Sequence, residues 1–112
     1  MSIILPISAI VPTINRAAVL ARMLESLAQQ SAQPAEMVIV DASQNSETEN
    51  LCGKPFRGLE TRMVYHRAKQ VGAAVQRNEA VEQASQSVVM FLDDDILFEP
   101  LRAATLAGAR KR

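Results

Sequence analysis

The chain has 112 residues, with twelve basic and twelve acidic side chains, and therefore no formal net charge at neutral pH. This length suits one small domain, and the balanced charge excludes the positive field expected of a protein that binds nucleic acid or an anionic membrane. Only 4% of the residues are aromatic, which excludes base-stacking platforms and predicts an aliphatic core. We therefore expect residues 1–112 to form a single domain that does not bind nucleic acid.

The chain contains one cysteine, and its apolar start lacks a preceding basic region. A lone cysteine cannot form an internal disulfide, which fits a reducing compartment, and Cys52 has no neighbouring base that would make it a nucleophile. The apolar start is far shorter than the roughly 20 residues of a membrane-spanning helix, so it predicts a strand. These features predict a cytoplasmic protein without a membrane segment.

The first half of the chain begins with a strand at residues 7–11 and continues into a helix. Asn15 is the expected cap of this helix, and Gln33 and Pro34 are expected to end it. Its apolar side chains keep the spacing of one helical face: Val19, Leu20, Met23, Leu24 and Leu27.

The remaining predicted elements are a strand at residues 37–40, a loop with one helical turn, a strand at 62–65, a helix from about residue 71 to residue 84, and a strand at 88–92. The last strand lies in the almost wholly apolar run SVVMFL, which predicts a central parallel strand that is buried on both faces. Strands that alternate with helices in the order β-α-β-β-α-β predict a Rossmann-like α/β fold with a mainly parallel sheet.

The second helix carries polar residues on its predicted buried stripe. At 100° per residue, Asn78 shares a stripe with four small or apolar residues, and Arg77 lies near its edge. Those four residues are Val71, Ala74, Val75 and Val81. A buried amide and a half-buried guanidinium need partners, so both side chains are candidates for reaching a ligand or the loops around it.

The residues that follow each predicted strand include polar or charged side chains. They are Pro12, Thr13, Ile14 and Asn15 after the first strand, Asp41, Ala42 and Ser43 after the second, His66 after the third, and Asp93, Asp94 and Asp95 after the fourth. In open α/β sheets, ligands bind in the crevice outside the carboxyl ends of the strands. These residues therefore predict one binding site at that rim.

The three consecutive carboxylates require a compensating positive charge. On an extended backbone, Asp93 and Asp95 point to the same side and lie about 7 Å apart at Cα, so these two can share one cation. Mg²⁺ and Mn²⁺ are typically held by one or two carboxylates together with water and phosphate oxygens. Asp41 can accept a hydrogen bond from a base or a ribose, and the backbone around Thr13 can meet a planar base. A nucleotide with a divalent metal fits these groups.

Four segments in this order resemble the N-terminal half of family 2 glycosyltransferases, which have the GT-A fold. The segments are SAIVPTINRAAVLARMLESLAQQ, MVIVDASQN, QRNEAVEQA and VMFLDDDILFEP. The resemblance implies a site for a nucleotide-diphospho-sugar of the UDP or GDP type, with Mg²⁺ or Mn²⁺. The implied nucleotide-binding residues are Pro12, Thr13, Asn15, Arg16, Asp41, Arg77 and Asp93, and the implied metal ligands are Asp93, Asp94 and Asp95.

The chain also departs from the family pattern. Glu79 and Ala80 stand where a glycine usually follows the Arg-Asn pair, and Ala42 and Ser43 stand where an acid and a glycine often follow the strand-two aspartate. If complete, the resemblance implies inverting sugar transfer, in which a carboxylate deprotonates an acceptor hydroxyl. The family carries that base on a later segment, so the catalytic residue is unknown and we expect no sugar transfer by this chain alone.

Four other functions compete with this interpretation. A Rossmann oxidoreductase or a P-loop protein needs a glycine-rich turn that VPTINR lacks, and a receiver domain needs acids after the first strand. The remaining alternative is a non-catalytic remnant or interaction module that keeps the fold. Because half of a larger α/β domain leaves an edge or an apolar face uncovered, we expect a homodimer, with part of the cover supplied by residues 101–109.

Overall fold

The structure is a computed structural model that describes residues 3–99. Its elements are β1 (Ile3–Thr13), α1 (Ala17–Ala28), β2 (Ala32–Asp41), α2 (Glu47–Cys52), β3 (Arg62–Arg67), α3 (Ala73–Gln83) and β4 (Val88–Phe91). The four strands form one parallel sheet in the order β3-β2-β1-β4. The predicted α/β class, element order and parallel pairing are confirmed.

The sheet is covered by helices on two faces because its central strands alternate their side chains. On one face, Ala9, Val11, Met37 and Ile39 pack with four of the buried residues of α1, which are Leu20, Met23, Leu24 and Leu27. These four recur at the predicted helical spacing. On the other face, Ile10, Val38 and Val40 pack with Ala80 of α3. The alternation of period two in β1 and β2 thus serves two separate core clusters.

The prediction for the last strand was wrong. In the described part of the chain, β4 pairs only with β1 and lies at the edge of the sheet. Val88 and Phe91 are 53% and 54% exposed. An apolar run does not indicate which strands will be its neighbours. A central strand and an uncovered edge strand can therefore have the same sequence pattern.

The predicted boundaries of the first helix were also wrong. Arg16 precedes the first helical residue, and Asn15 adopts a left-handed backbone conformation with φ 52° instead of capping the helix. The helix ends at Ala28, and Gln33 and Pro34 belong to β2. Pro34 precedes the part of β2 that pairs with β3, which begins at Glu36, and it lies opposite Leu5 of β1, at the register shift between β1 and β2.

A buried carboxylate joins three strands at the amino end of the sheet. Glu36 Oε2 accepts hydrogen bonds from Ser8 Oγ and from the Ser85 backbone, both at 2.5 Å, and its Oε1 accepts one from Arg62 Nη2 at 2.6 Å. Burial by itself would raise the pKa of Glu36, but these hydrogen bonds and the arginine lower it below its ordinary value. The network holds the connection between α3 and β4 to the sheet, opposite the predicted rim site.

Candidate functional site

A cleft of about 410 Å³ opens at the carboxyl ends of β1 and β4, next to the start of α3. It is lined by Pro12, Thr13, Ile14 and Arg16, by Val71, Gly72, Ala73, Gln76 and Arg77, and by Asp93, Asp94 and Asp95. Its volume is that of a small-molecule site, which is typically about 300–1,000 Å³. Five of the seven predicted nucleotide-binding residues line the cleft; Asn15 and Asp41 do not.

The loop between β1 and α1 forms one wall of the cleft. The Asn15 backbone N–H donates to Ser43 Oγ at 2.7 Å, and Asn15 Oδ1 accepts from the Gln44 backbone at 3.3 Å. A left-handed conformation is uncommon outside glycine, although asparagine tolerates it better than most residues. These contacts hold the backbone directly before Arg16.

The acidic triplet is folded into a turn at Asp94 and Asp95, so the predicted extended arrangement of its side chains was wrong. Asp94 is only 6% exposed; its Oδ2 accepts from Thr13 Oγ1 at 2.8 Å, and its Oδ1 lies 3.1 Å from Arg16 Nη1. Asp95 lies 3.7 Å from the other terminal nitrogen of Arg16, and Asp93 lies 3.8 Å from Arg77 Nη2. In this structure, arginines from the two walls provide the compensating positive charge.

The side chains of Asp93 and Asp95 are 72% and 57% exposed. Their ion pairs are longer than hydrogen bonds, so their oxygen atoms keep free lone pairs. Within residues 3–99, no three His, Cys, Asp or Glu side chains are grouped closely enough to hold a metal. Two accessible carboxylates nevertheless fit Mg²⁺ or Mn²⁺ when phosphate and water complete the coordination. Asp94 is already committed to Thr13 and Arg16.

Gln76 is the site residue that the sequence interpretation missed. It is 3% exposed, and its Nε2 donates to the carbonyl oxygens of Val40 at 2.9 Å and Thr13 at 3.1 Å, while its Oε1 accepts from the Gly72 backbone at 3.0 Å. One amide therefore ties together the ends of two strands and the start of α3. Gln76 and the small Ala80 are four residues apart and therefore lie on one face of α3. This spacing is the signal in the sequence that could have identified the buried face.

The predicted buried stripe on α3 was wrong. Asn78 is exposed, and Val71 and Val81 are 71% and 44% exposed. The buried residues of α3 are Gln76 and Ala80. Arg77 is half-buried at the edge of this face and reaches the cleft, as its predicted position indicated.

Glu79 holds the segment that leads into α3. Its carboxylate accepts hydrogen bonds from the backbone N–H groups of Lys69, at 2.9 Å, and Gln70, at 3.3 Å, and it lies 3.1 Å from His66 Nε2. The hydrogen bond from the Lys69 backbone is the main reason that the pKa of Glu79 is lowered. His66, a predicted rim residue, contacts this carboxylate instead of lining the cleft.

Asp41 is fully buried behind the cleft wall. Its Oδ1 accepts from the Ser43 backbone at 2.9 Å, and its Oδ2 accepts from the Tyr65 hydroxyl at 2.6 Å. Burial, followed by the contact with Asp41, raises the pKa of Tyr65. Cys52 contributes no group to the cleft, and burial raises the pKa of its thiol to about 12, which fits its assignment as a bystander.

Residues 8–109 match the model of the family described as Glycosyl transferase family 2. The chain belongs to this family. It is 37% identical over 102 residues to the PGL/p-HBAD biosynthesis glycosyltransferase of Mycobacterium bovis, and these residues are 90% of this chain and 40% of that enzyme. It is 32% identical over 97 residues to the uncharacterized glycosyltransferase YwdF of Bacillus subtilis, which covers 84% of this chain and 34% of that protein.

Solved glycosyltransferase structures share the GT-A fold of this family 2 chain. The 1–349 portion of S. aureus TarS in complex with UDP matches 85% of this chain and 28% of its own length, with a TM-score of 0.64 and 28% identity. The mannosyltransferase PcManGT of Pyrobaculum calidifontis, in complex with GDP-Man and Mn²⁺, matches 95% of this chain and 31% of its own length, with a TM-score of 0.64 and 26% identity.

The family 2 chain thus spans about 40% of the length of the mycobacterial relative. Because the relatives are named as glycosyltransferases, the comparisons give no support to the alternative of a non-catalytic interaction module. Within residues 3–99, none of the helices is long and apolar enough to cross a membrane. The cytoplasmic location stays a prediction.

Proposed function

We propose that this chain binds the nucleoside diphosphate part of a nucleotide-sugar in the cleft, together with Mg²⁺ or Mn²⁺. The observation that carries the proposal is the meeting of Arg16, Arg77 and residues 93–95 at the carboxyl ends of β1 and β4. Guanidinium groups bind phosphate oxygens with paired hydrogen bonds, and exposed carboxylates bind hard divalent cations. A diphosphate that carries a divalent cation satisfies both sets of groups.

The charge balance of the cleft favours binding that depends on the cation. Among the described residues that line it, three are aspartates and two are arginines, and each arginine is paired with an aspartate. A diphosphate alone would meet excess negative charge. A cation held by Asp93 and Asp95 would reverse this balance. It would replace Arg77 at Asp93 and Arg16 at Asp95, which leaves guanidinium N–H groups for the phosphates. When bound, the cation would also stabilise the negative charge on the departing diphosphate in sugar transfer.

The part of the cleft around Ile14 and Val71 suits the planar face of a nucleotide base. Ile14 and Val71 both line the cleft and are 39% and 71% exposed, so each offers apolar surface to a ligand. Pro12 and Thr13 provide backbone on the same wall as Ile14. We propose that the base lies against this wall and that the diphosphate lies between the two arginines.

Two solved structures that share the fold of this chain support this ligand class, because one contains UDP and the other contains GDP-Man with Mn²⁺. The choice between a uracil and a guanine base stays open for this chain. We further propose that the whole protein transfers the donor's sugar to an acceptor hydroxyl. We assign no catalytic base among the described residues.

The test is a titration of the chain with UDP, GDP and their sugar conjugates, with and without Mg²⁺. Binding is monitored through the backbone amide signals in NMR. We expect shifts in the amide signals of residues 13–16 and 71–77, together with tighter binding in Mg²⁺. Added Mn²⁺ should broaden the amide signals around residues 93–95 through its unpaired electrons. Asp95→Asn should remove most of the metal dependence, and Arg16→Gln and Arg77→Gln should each weaken binding about tenfold.

Arg22→Gln is the matched control, because Arg22 is exposed on α1 and does not line the cleft. Its affinity should equal that of the wild type. Equal affinities for the wild type and all four variants would refute the assignment of the site, even if a nucleotide binds elsewhere. If none of the ligands binds, the proposed function is refuted.

A further inference from the structure

A chain of hydrogen bonds behind the cleft wall connects β3 to the loop that carries Arg16. The Tyr65 hydroxyl donates to Asp41 Oδ2 at 2.6 Å, Asp41 Oδ1 accepts from the Ser43 backbone at 2.9 Å, and Ser43 Oγ accepts from the Asn15 backbone at 2.7 Å. We call this series the Tyr65–Asn15 relay. Asp41 and Ser43 are buried, and none of its four residues lines the cleft.

The relay ends one residue before a guanidinium that spans the acidic turn. Asn15 has φ 52°, and its amide is held by Ser43, so the direction in which the chain enters Arg16 is fixed. Arg16 in turn lies 3.1 Å from Asp94 and 3.7 Å from Asp95. A change at the buried end of the relay therefore reaches the charged end of the cleft through Ser43 and Asn15.

We propose that Asp41, with Tyr65 and Ser43, acts as a positioning residue that sets Arg16 against the diphosphate, and that it does not contact the base directly. The inference rests on the proposed function of the cleft. It assigns a role to Tyr65, which the motifs of the sequence did not indicate, and a specific role to Ser43, which was predicted only as one of the rim residues.

Burial and occupancy argue against direct contact between Asp41 and a base. Asp41 is 0% exposed, and each of its carboxylate oxygens already accepts a hydrogen bond. Arg67 lies over the same group: its Nη1 is 3.7 Å from Asp41 Oδ2 and donates to the Ser43 carbonyl oxygen. A base could reach this carboxylate only if the residues that cover Asp41 moved apart.

The donor at the start of the relay keeps its proton at neutral pH. Burial and the neighbouring carboxylate of Asp41 raise the pKa of Tyr65, so its hydroxyl remains a hydrogen-bond donor. The relay should therefore give the same geometry across the physiological pH range.

Neutral substitutions test the relay without changing the charge of the site. Ser43→Ala removes the acceptor for the Asn15 amide, and Ser43→Thr retains a hydroxyl as the conservative rescue. Tyr65→Phe removes the donor to Asp41. Ser46→Ala is the matched control, because Ser46 is exposed just before α2 and makes no side-chain capping hydrogen bond.

Affinity is measured for UDP and for inorganic pyrophosphate, both in Mg²⁺. Pyrophosphate has no base, so it reports only on the diphosphate end of the cleft. We expect Ser43→Ala and Tyr65→Phe to weaken both ligands by the same factor, about fivefold, while Ser43→Thr and Ser46→Ala stay within about twofold of the wild type. If Asp41 contacted the base, Tyr65→Phe would free its acceptor and strengthen UDP binding with no change for pyrophosphate, and that result would overturn the inference.

A second readout needs no ligand. In amide NMR, Ser43→Ala should shift the signals of Asn15 and Arg16 and leave those of residues 71–73, on the opposite wall, in place. A purely structural loss of stability would not be confined in this way, and unchanged Asn15 and Arg16 signals would refute the relay. If the wild type binds neither UDP nor pyrophosphate, the proposed function fails, while the amide signals still decide whether the relay positions Arg16.

Discussion

The amide of Gln76 offers the sharpest test of how the cleft is held together. We consider Gln76→Met, which replaces a long polar side chain by an apolar one of similar length and similar helix propensity. The substitution removes the hydrogen bonds to the Thr13 and Val40 carbonyl oxygens and the one from the Gly72 backbone. The two walls of the cleft then lose their direct connection through α3.

The expected cost follows from these three contacts. Each hydrogen bond contributes about 1 kcal/mol net to stability, so an upper value is about 3 kcal/mol. The loss is reduced because the Thr13 carbonyl keeps the Ala42 backbone as a donor at 3.0 Å and because Gly72 is only half-buried and can bond to water. We therefore expect Gln76→Met to lower the free energy of unfolding by about 2 kcal/mol.

Urea denaturation measures this difference. With a denaturant slope of about 2 kcal/mol per molar, the unfolding midpoint should fall by about 1 M. The matched control is Gln83→Met, an exposed position on the same helix, which should change the free energy of unfolding by less than about 0.5 kcal/mol. The affinity for UDP in Mg²⁺ should fall in Gln76→Met and stay unchanged in Gln83→Met.

Two results would refute this reasoning. Equal midpoints for the two variants would show that the buried amide contributes nothing to stability. A lower midpoint with unchanged UDP affinity would show that Gln76 supports the fold without setting the position of the cleft walls.

Three further predictions concern other parts of the molecule. The pKa of Glu36 is lowered in the folded protein, so its stabilising effect is present above the ordinary value of 4.5 and is lost as the pH falls through the lower folded-state value. Glu36→Gln should therefore flatten this part of the pH dependence of the urea midpoint. An unchanged profile would contradict the network. Gly58 has φ +90°, and an added Cβ would lie 2.7 Å from the Ala28 carbonyl oxygen, so Gly58→Ala should cost about 2 kcal/mol or more in urea denaturation; the control Gly53→Ala, with its nearest contact at 3.6 Å, should cost far less. The homodimer stays a prediction: β4 has one edge unpaired within the described residues, so sedimentation at micromolar concentration should give twice the 12.2 kDa mass of the chain, and a monomer would contradict it.

The sequence by itself determined the order of the elements along the chain and the parallel pairing of the strands. The apolar runs at residues 7–11 and 37–40 lie within β1 and β2, which are longer than the runs. These runs were recognisable because their side chains alternate between two faces of the sheet that are both covered by helices. The α1 face was predictable for the same reason, since Leu20, Met23, Leu24 and Leu27 repeat at helical spacing. The prediction of a rim site followed from topology alone, because parallel strands bring their carboxyl ends to one edge.

The tertiary structure alone decided which polar groups are buried and which strand is at the edge. The α3 helix has few large apolar residues, so its pattern could not indicate that Gln76, and not Asn78, faces the sheet; the carbonyl oxygens of Thr13 and Val40 make that choice. Asp41 and Asp93 look alike as carboxylates after strands, yet one is fully buried and the other is exposed. Asp41 is buried because Tyr65, from β3, and Ser43, two residues further along the chain, close over it. Within the described residues, β4 ends at the edge of the sheet, and the side chain of Asp93 stays exposed.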